Sequence, residues 1–254
     1  MSKQINTLQE ALTHYQQTCG TFNVTLGEED ENGVLKSYIY TERFRAESLY
    51  TTENDFANFP DKIKQLFNFM SADPVIMERS ATGKVSVEEF VERVHEQSFL
   101  WNNGYSFATF IITDESNDAV VGSEVISDGS KDHAGEIAYS FNQEYRRSNT
   151  KKYVGYENVG ALILGYGQEL AKKQAYVNKT YDEQLKKFVG GEIFTTVEAT
   201  TSITNIASKT ILERLAFKPF GEHKDEVCKF ELHYTSEMDA PLTGDTEVVL
   251  EWQQ

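Results

Sequence analysis

The sequence predicts an α+β fold with a mixed, mostly antiparallel central sheet flanked by helices. Polar turns at 114–118 and 128–133 separate three runs, 107–113, 119–126 and 135–141, which predicts three antiparallel strands in succession. In the last run Ile137, Tyr139 and Phe141 alternate with Ala138 and Ser140. Helices come before this set, after a first strand at 41–49. A helix, a strand, a second helix and more strands come after it. This order is typical of an α+β domain.

The composition predicts one well-formed core and no membrane segment. The chain has 254 residues, of which 39% are hydrophobic and 12% aromatic, and it contains no apolar run of membrane-spanning length. The first ten residues lack the apolar stretch of a secretory signal. Cys19 and Cys228 are far apart and match no metal or redox spacing. We therefore expect a cytoplasmic protein without a bound metal.

The charge balance points away from nucleic acid as the main partner. Forty acidic residues against 24 basic ones give a formal charge of −16. Such a field raises the local concentration of cationic ligands and repels polyanions. The adjacent pair Arg146 and Arg147 is a local exception that suits a bound phosphate.

Residues 1–40 read as an extension that precedes the main domain at 41–254. Ile5, Leu8, Leu12 and Tyr15 have the spacing of a short amphipathic helix. Strands at 22–26 and 34–40 flank an acidic turn that ends in Asn-Gly, a strong hairpin signal. The extension is therefore predicted to be a helix followed by a hairpin.

The first helices of the main domain carry clear boundary signals. Apolar residues over 56–70 are interrupted at Pro60, which predicts one broken helix or two short ones. Ser86 and Glu89 form a capping box at the start of a helix that ends near Asn102. Later in the chain, Asn205 has the position of a cap for a helix over 205–215.

The other elements after the three-strand run follow from periodicity. A long helix is predicted over 151–173, a second amphipathic segment over 175–191 and a strand over 192–200. Late strands are predicted at 217–220, 227–234 and 247–252, with a loop at 238–245.

A basic, polar turn connects the strand at 135–141 to the long helix. The first N–H groups of a helix lack intrahelical partners and lie at the positive end of its dipole, so they favour an anion. Here two arginines precede that position, and Ser148, Asn149 or Thr150 can cap the helix. The turn is therefore a candidate phosphate site, or else an ordinary capped helix with solvated arginines.

Four segments in order resemble the GNAT superfamily of acetyl-CoA-dependent N-acetyltransferases, in particular its ribosomal-protein N-acetyltransferase branch. They are TERFRAESL at 41–49, MSADPVIM at 70–77, GEIAYSFNQEYR at 135–146 and VEATTSITNIASKTILERLAF at 197–217. The last is the most specific, because it fixes Asn, Ser, Glu and Leu–Phe in one register. Two features depart from the family: the turn after Arg147 has no glycine until Gly155, and Ala216 replaces a glycine. An αL conformation costs such residues about 1 kcal/mol each.

The resemblance implies a GNAT fold and transfer of acetyl from acetyl-CoA to a primary amine. It implies that Tyr139, Ser140 and Phe141 bind the pantetheine through their backbone, with Asn205 also contacting that arm. The resemblance also implies that the basic turn binds the pyrophosphate, through Arg146, Arg147, Ser148, Asn149, Thr150 and Lys151.

For the chemistry, the resemblance implies that Ser208 donates a proton to the leaving thiolate. Because an amine nucleophile must lose a proton, a carboxylate is expected near the acetyl carbon. Glu136 is the first candidate base, and Glu198 is the alternative.

The acceptor remains open at this stage, as do activity and assembly. A protein N-terminal α-amine fits the branch, whereas a polyamine or an aminoglycoside-like amine fits the acidity of the chain. The protein is expected to be a monomer or a homodimer. The rival hypothesis is a catalytically silent GNAT-fold binding module, which the glycine-poor turn favours.

Overall fold

The computed structural model describes residues 5–29, 35–74, 76, 85–147, 153–221 and 227–234. Four sequence predictions lie outside these residues: the tip of the N-terminal hairpin, the turn at 148–152, the loop at 238–245 and the strand at 247–252.

The described helices and strands are, in chain order, α1 (Leu8–Cys19), β1 (Phe22–Glu29), β2 (Leu35–Thr41), β3 (Phe44–Ser48), a 3₁₀ turn (Phe56–Asn58), α2 (Asp61–Ala72), α3 (Val87–Asn102), β4 (Thr109–Asp114), β5 (Ala119–Asp128), β6 (Ala134–Phe141), α4 (Gln143–Arg147), α5 (Val154–Ala161), a π-helical segment (Leu162–Gly167), α6 (Gln168–Lys172), β7 (Tyr176–Val177), β8 (Thr180–Asp182), β9 (Lys187–Val189), β10 (Glu192–Ile193), β11 (Thr196–Ser202), α7 (Ile206–Arg214), β12 (Lys218–Pro219) and β13 (Val227–His233).

One mixed sheet organises the described part of the chain. Its strand order is β1-β2-β3-β4-β5-β6-β11-β13-β12, and neighbouring strands are antiparallel except β6 and β11, which are parallel. The α5 to α6 helical run makes the crossover between these two strands, as a parallel connection requires. The predicted class, α+β with a mostly antiparallel sheet, is confirmed.

Helices cover both faces of this sheet. On one face, α1, α5, the π-helical segment and α7 pack on the larger core, which includes Ile112, Ile137, Val197 and Phe230. On the other face, α2 and α3 enclose a smaller core around Ile63, Phe90, Val94, Ile111 and Val120. None of the described helices is both long and apolar enough to cross a membrane.

The N-terminal segment joins the same sheet and the larger core. Strands β1 and β2 extend the sheet beyond β3, and α1 lies on the central helical run. The ring of Tyr15 sits against Gly160, where a Cβ atom would come within 2.5 Å of it. The Tyr15 hydroxyl donates to the carbonyl of Glu157 at 2.9 Å. Because Gly160 has no side chain, α1 can pack closely against the long helix.

The start of α5 is tied to the β2–β3 turn through Glu157. Its buried carboxylate accepts from Thr41 Oγ1 at 2.7 Å and from Arg43 Nε at 2.8 Å. A carboxylate in the first helical turn also interacts favourably with the helix dipole. This network fixes the N-terminal end of α5 against the sheet.

Several local signals in the sequence are confirmed. Ser86 and Glu89 form the reciprocal capping box of α3, Pro60 separates the 3₁₀ turn from α2, and Asn205 caps α7. Ala216 adopts a positive φ of 65° at the end of α7, the conformation that costs a residue other than glycine about 1 kcal/mol.

Other sequence expectations were wrong. The long helix begins at Val154 rather than at 151, and its N-cap is Tyr153, without a side-chain cap. The predicted caps Ser148, Asn149 and Thr150 lie outside the described residues. The strand ends at Phe141 as predicted, and a short helix, α4, occupies the first part of the predicted polar turn. Residues 175–191 form the short strands β7, β8 and β9 rather than one amphipathic segment, and the strand expected at 192–200 is divided into β10 and β11.

We expect Gly160→Ala to destabilise the protein, although alanine favours a helix more than glycine does. The added methyl group meets the Tyr15 ring at 2.5 Å, so α1 must shift. Overpacking of this kind costs about 1–3 kcal/mol, which chemical denaturation can measure. In a Tyr15→Ala background the same substitution should cost nothing; an equal loss in both backgrounds would contradict the steric explanation.

Candidate active site

A cleft opens in the sheet where β6 and β11 stop pairing. The two strands are in parallel register from Ala134–Thr196 to Ile137–Ala199. Beyond that point β6 stays paired with β5 as far as Phe141, and β11 stays paired with β13 as far as Ser202. The backbone of β6 after Ile137 therefore has no strand partner on the β11 side, and it offers hydrogen-bonding groups to a ligand.

Side chains from β6 and α7 meet in this cleft. The hydroxyl of Tyr139 and Oγ of Ser208 are 2.7 Å apart, a hydrogen bond in which either group can donate. At the start of α5, a Cβ atom on Gly155 would lie 2.9 Å from Ile211 and 3.4 Å from Phe141. The strand, the start of α5 and α7 thus converge on the same cleft. The roles predicted for Tyr139, Phe141 and Ser208 stay predictions.

The Tyr139–Ser208 pair holds a proton that it can donate. Burial raises the pKa of Tyr139 to about 12, although the hydrogen bond with Ser208 works in the opposite direction. The phenol is therefore neutral near physiological pH. The sequence pointed to both residues but not to the hydrogen bond between them, because they are 69 positions apart in the chain.

The predicted pyrophosphate turn is described only at its two ends. At its far end Tyr153 has φ 70°, so a residue other than glycine occupies the left-handed region immediately before α5. Such a conformation costs on the order of 1 kcal/mol and persists where the surroundings enforce it. Residues 148–151 and the side chain of Arg147 lie outside the described structure, so their assignment to the pyrophosphate stays a prediction.

Arg146 has a protein partner. Its guanidinium forms a short ion pair with Asp73, a buried residue that follows α2. A diphosphate at this turn would have to compete with that carboxylate for Arg146. The predicted contact between Arg146 and the pyrophosphate therefore stays a prediction.

Two further predicted contacts have structural roles of their own. Asn205 Oδ1 accepts from the backbone N–H of Ser208 at 3.3 Å, so its amide nitrogen is the group left for a ligand. Ser140 lies on the opposite face of the sheet, with its Oγ 3.3 Å from that of Ser123. Only the backbone of Ser140 faces along the cleft edge, which is the contact the resemblance implies.

The two candidate bases lie side by side on the face opposite Tyr139. Glu136 and Glu198 are register partners, one residue before the strands diverge. Glu136 is half-buried, and no described residue donates a hydrogen bond to its carboxylate or pairs with it. Glu198 is buried, and its Oε2 accepts from the N–H and Oγ of Ser130 at 2.9 and 2.6 Å. Glu136 is therefore the more available of the two.

Glu124 is a buried carboxyl group that the sequence did not single out. It is 0% exposed, faces the larger core in register with Phe110 and Tyr139, and has no hydrogen-bond partner among the described residues. Burial raises the pKa of this group well above its usual range. The alternation of β5 would have placed it inward, but nothing local shows that its partner is missing.

Neither cysteine has the features of a nucleophile. Both Cys19 and Cys228 are buried free thiols. Burial raises the pKa of Cys19 to about 12, so the reactive thiolate is scarce.

The arrangement of strands and helices is that of GNAT acetyltransferases. No protein-family model matches the sequence, and no curated protein matches it. Among solved structures, the ribosomal-protein-S5-alanine acetyltransferase of Vibrio fischeri is similar with TM-score 0.57, 13% identity and coverage of 78% of this chain and 97% of the other. A GNAT-family acetyltransferase of Bacillus anthracis gives TM-score 0.53 at 16% identity, with 77% and 98% coverage. A ribosomal L7/L12 α-N-protein acetyltransferase in complex with coenzyme A gives 0.50 at 12%, with 76% and 96% coverage. The chain therefore has the GNAT fold.

We expect Glu124→Met to raise the free energy of unfolding by about 1–3 kcal/mol at pH 7, because it removes an unsatisfied buried group. The raised pKa of Glu124 also determines how the stability of the protein depends on pH. Unfolded Glu124 ionises above about pH 4 while the folded form keeps its proton, so wild-type stability falls as pH rises.

The gain of Glu124→Met should therefore grow between about pH 4 and pH 7 when measured by chemical denaturation. Glu92→Met, at an exposed position of α3, is the matched control for the change of a glutamate to methionine. A gain that is constant across this range would contradict the buried, protonated state of Glu124.

Proposed function

We propose that the protein is an acetyl-CoA-dependent N-acetyltransferase that acts on a primary amine. The observation that carries this proposal is the opening between β6 and β11, which offers a strand edge without a strand partner beside the N-terminus of α5. A strand edge suits the amides of a pantetheine arm, and a helix N-terminus suits a diphosphate. The fold shared with acetyltransferases, one of them solved with coenzyme A, supports the same reading.

The chemistry is a direct displacement at the thioester. Glu136 takes a proton from the acceptor ammonium, directly or through water, and the free amine attacks the acetyl carbon. The C–N bond forms, the C–S bond breaks, and the coenzyme A thiolate takes a proton from the Tyr139–Ser208 pair. The acylated nitrogen releases its second proton to solvent, and solvent returns a proton to the pair. These groups occupy opposite faces of the sheet at the point where the strands diverge.

The acceptor that we propose is a protein N-terminal α-amine, with a small polycationic amine as the alternative. The first is the substrate class of ribosomal-protein acetyltransferases that share the fold. The second rests on the net charge of −16, which attracts polycations.

A second candidate function is a GNAT-fold binding module without activity. Two observations favour it: Tyr153 stands at a positive φ beside the pyrophosphate turn, and Arg146 is paired with Asp73. Calorimetric titration with acetyl-CoA separates the two. We expect saturable heat for the enzyme, whereas absence of heat at millimolar ligand would favour the silent module.

Glu136→Gln should lower kcat/KM for the acceptor about 10²-fold or more near neutral pH, because general base catalysis contributes at least that much. The deficit should shrink as pH rises, since a free amine no longer needs a base. An amine panel with thiol detection measures both effects. Glu183→Gln, at a side chain that is 79% exposed between β8 and β9, is the control. An unaltered pH–rate profile would remove Glu136 from this role.

Ser208→Ala and Tyr139→Phe should each lower kcat about 10²-fold while leaving the calorimetric Kd for acetyl-CoA within a few-fold of wild type. The reason is that the pair acts on the leaving thiolate and not on the bound thioester. Thr210→Ala removes another hydroxyl of α7, which donates to the carbonyl of Ile206, and serves as the control. If either substitution weakens binding and leaves kcat unchanged, the pair has a binding role instead.

A further inference from the structure

The ammonium group of Lys131 lies between two carboxylates and an aromatic ring. Its Nζ is 2.5 Å from Glu231 Oε2 and 3.5 Å from Glu198 Oε1. It also lies 4.3 Å from the centroid of the Phe220 ring. Carboxylates together with a ring face are the groups that bind ammonium ligands. We call Glu198, Glu231 and Phe220 the ammonium box.

The burial of Glu198 makes a cation beside it necessary. It is only 4% exposed, and its Oε1 accepts no hydrogen bond from the described residues. Its other oxygen is held by Ser130, so the carboxylate has a fixed orientation. A buried carboxylate oxygen without a donor is costly unless a positive charge lies beside it.

The turn that carries Lys131 is anchored from a distance. The side-chain amide of Asn178 donates to the carbonyls of Lys131 and Asp132, both at 2.9 Å. The Asn178 N–H and the Tyr105 hydroxyl both donate to Asp128. The segment at 175–191 therefore holds this turn in place, and Lys131 reaches the box from a fixed backbone.

The box lies next to the proposed base. Glu198 is the register partner of Glu136, and neighbouring strands are about 4.8 Å apart. Both side chains are on the same face of the sheet. Since the side chain of Lys131 is 38% exposed, a solute can reach the box from solvent.

We propose that Lys131 is a specificity-determining residue that fills the site where the second ammonium of a polycationic acceptor would bind. This inference rests on the proposed function. When the reacting amine is at Glu136, a second positive charge one strand away would have to enter the box. Lys131 already occupies it, so the protein prefers an acceptor with a single charged amine, such as a protein N-terminus, over a polyamine.

Lys131 is an occupant of the box and not an acceptor itself. Its hydrogen bond with Glu231 raises the pKa of Lys131, and the same contact lowers the pKa of Glu231. The lysine therefore stays protonated, and a protonated amine has no lone pair for attack on a thioester.

Calorimetric titration without acetyl-CoA tests the box directly. The probes are 1,4-diaminobutane and butylamine, and the proteins are wild type, Lys131→Met and Lys131→Arg. We expect Lys131→Met to bind the diamine roughly tenfold or more tightly than wild type does, a change of about 1.4 kcal/mol. Butylamine affinity should change less than threefold, and Lys131→Arg should behave as wild type.

Two further variants complete the test. Adding Glu198→Gln to Lys131→Met should abolish the gain, and Lys186→Met, which breaks an exposed ion pair with Glu183, should produce none. Equal gains for both amines, or no gain for the diamine in a variant that unfolds cooperatively, would overturn the proposal. A gain in diamine binding without any acetyl transfer supports the ammonium box and contradicts the proposed function. Acetyl transfer without a gain in diamine binding supports the proposed function and contradicts the ammonium box.

Discussion

The short parallel pairing between β6 and β11 is the constraint on which the site depends. It ends at Ile137 and Ala199, while each strand keeps its antiparallel partner on the other side. The sheet can therefore open locally without losing either strand. The opening leaves backbone groups of β6 without a strand partner, and such groups require another source of hydrogen bonds. A ligand with amides along its length is one such source.

The same point divides the chemistry between two faces. Side chains alternate along a strand, so Glu136 and Tyr139, three positions apart, face opposite sides of the sheet. The Tyr139–Ser208 pair lies toward α7, and Glu136 and Glu198 lie on the opposite face. The proposed base and the proposed proton donor therefore stand on different faces of the sheet.

Local signals made the fold predictable, and distant contacts limited the prediction of the site. The capping box of Ser86 and the cap at Asn205 depend on residues three positions apart, so the sequence contains all the information. The start of the long helix was misplaced because a tyrosine, Tyr153, adopts a backbone conformation that no propensity favours. The partners of Arg146 and Lys131 are 73 and 100 positions away, and periodicity carries no signal at that range.

The net charge of the chain and the charge at the site act at different distances. A formal charge of −16 attracts any cation, and it does not distinguish a monoamine from a polyamine. Selection between a monoamine and a polyamine requires direct contacts, and in the ammonium box the positive charge of Lys131 already makes those contacts. Glu136, Glu198 and Glu231 form a row of carboxylates across β6, β11 and β13. Lys131 pairs with Glu198 and Glu231, so Glu136 is the member of this row without a partner among the described residues. One available carboxylate beside the cleft suits one ammonium, so the acidity of the whole chain is a poor guide to the acceptor.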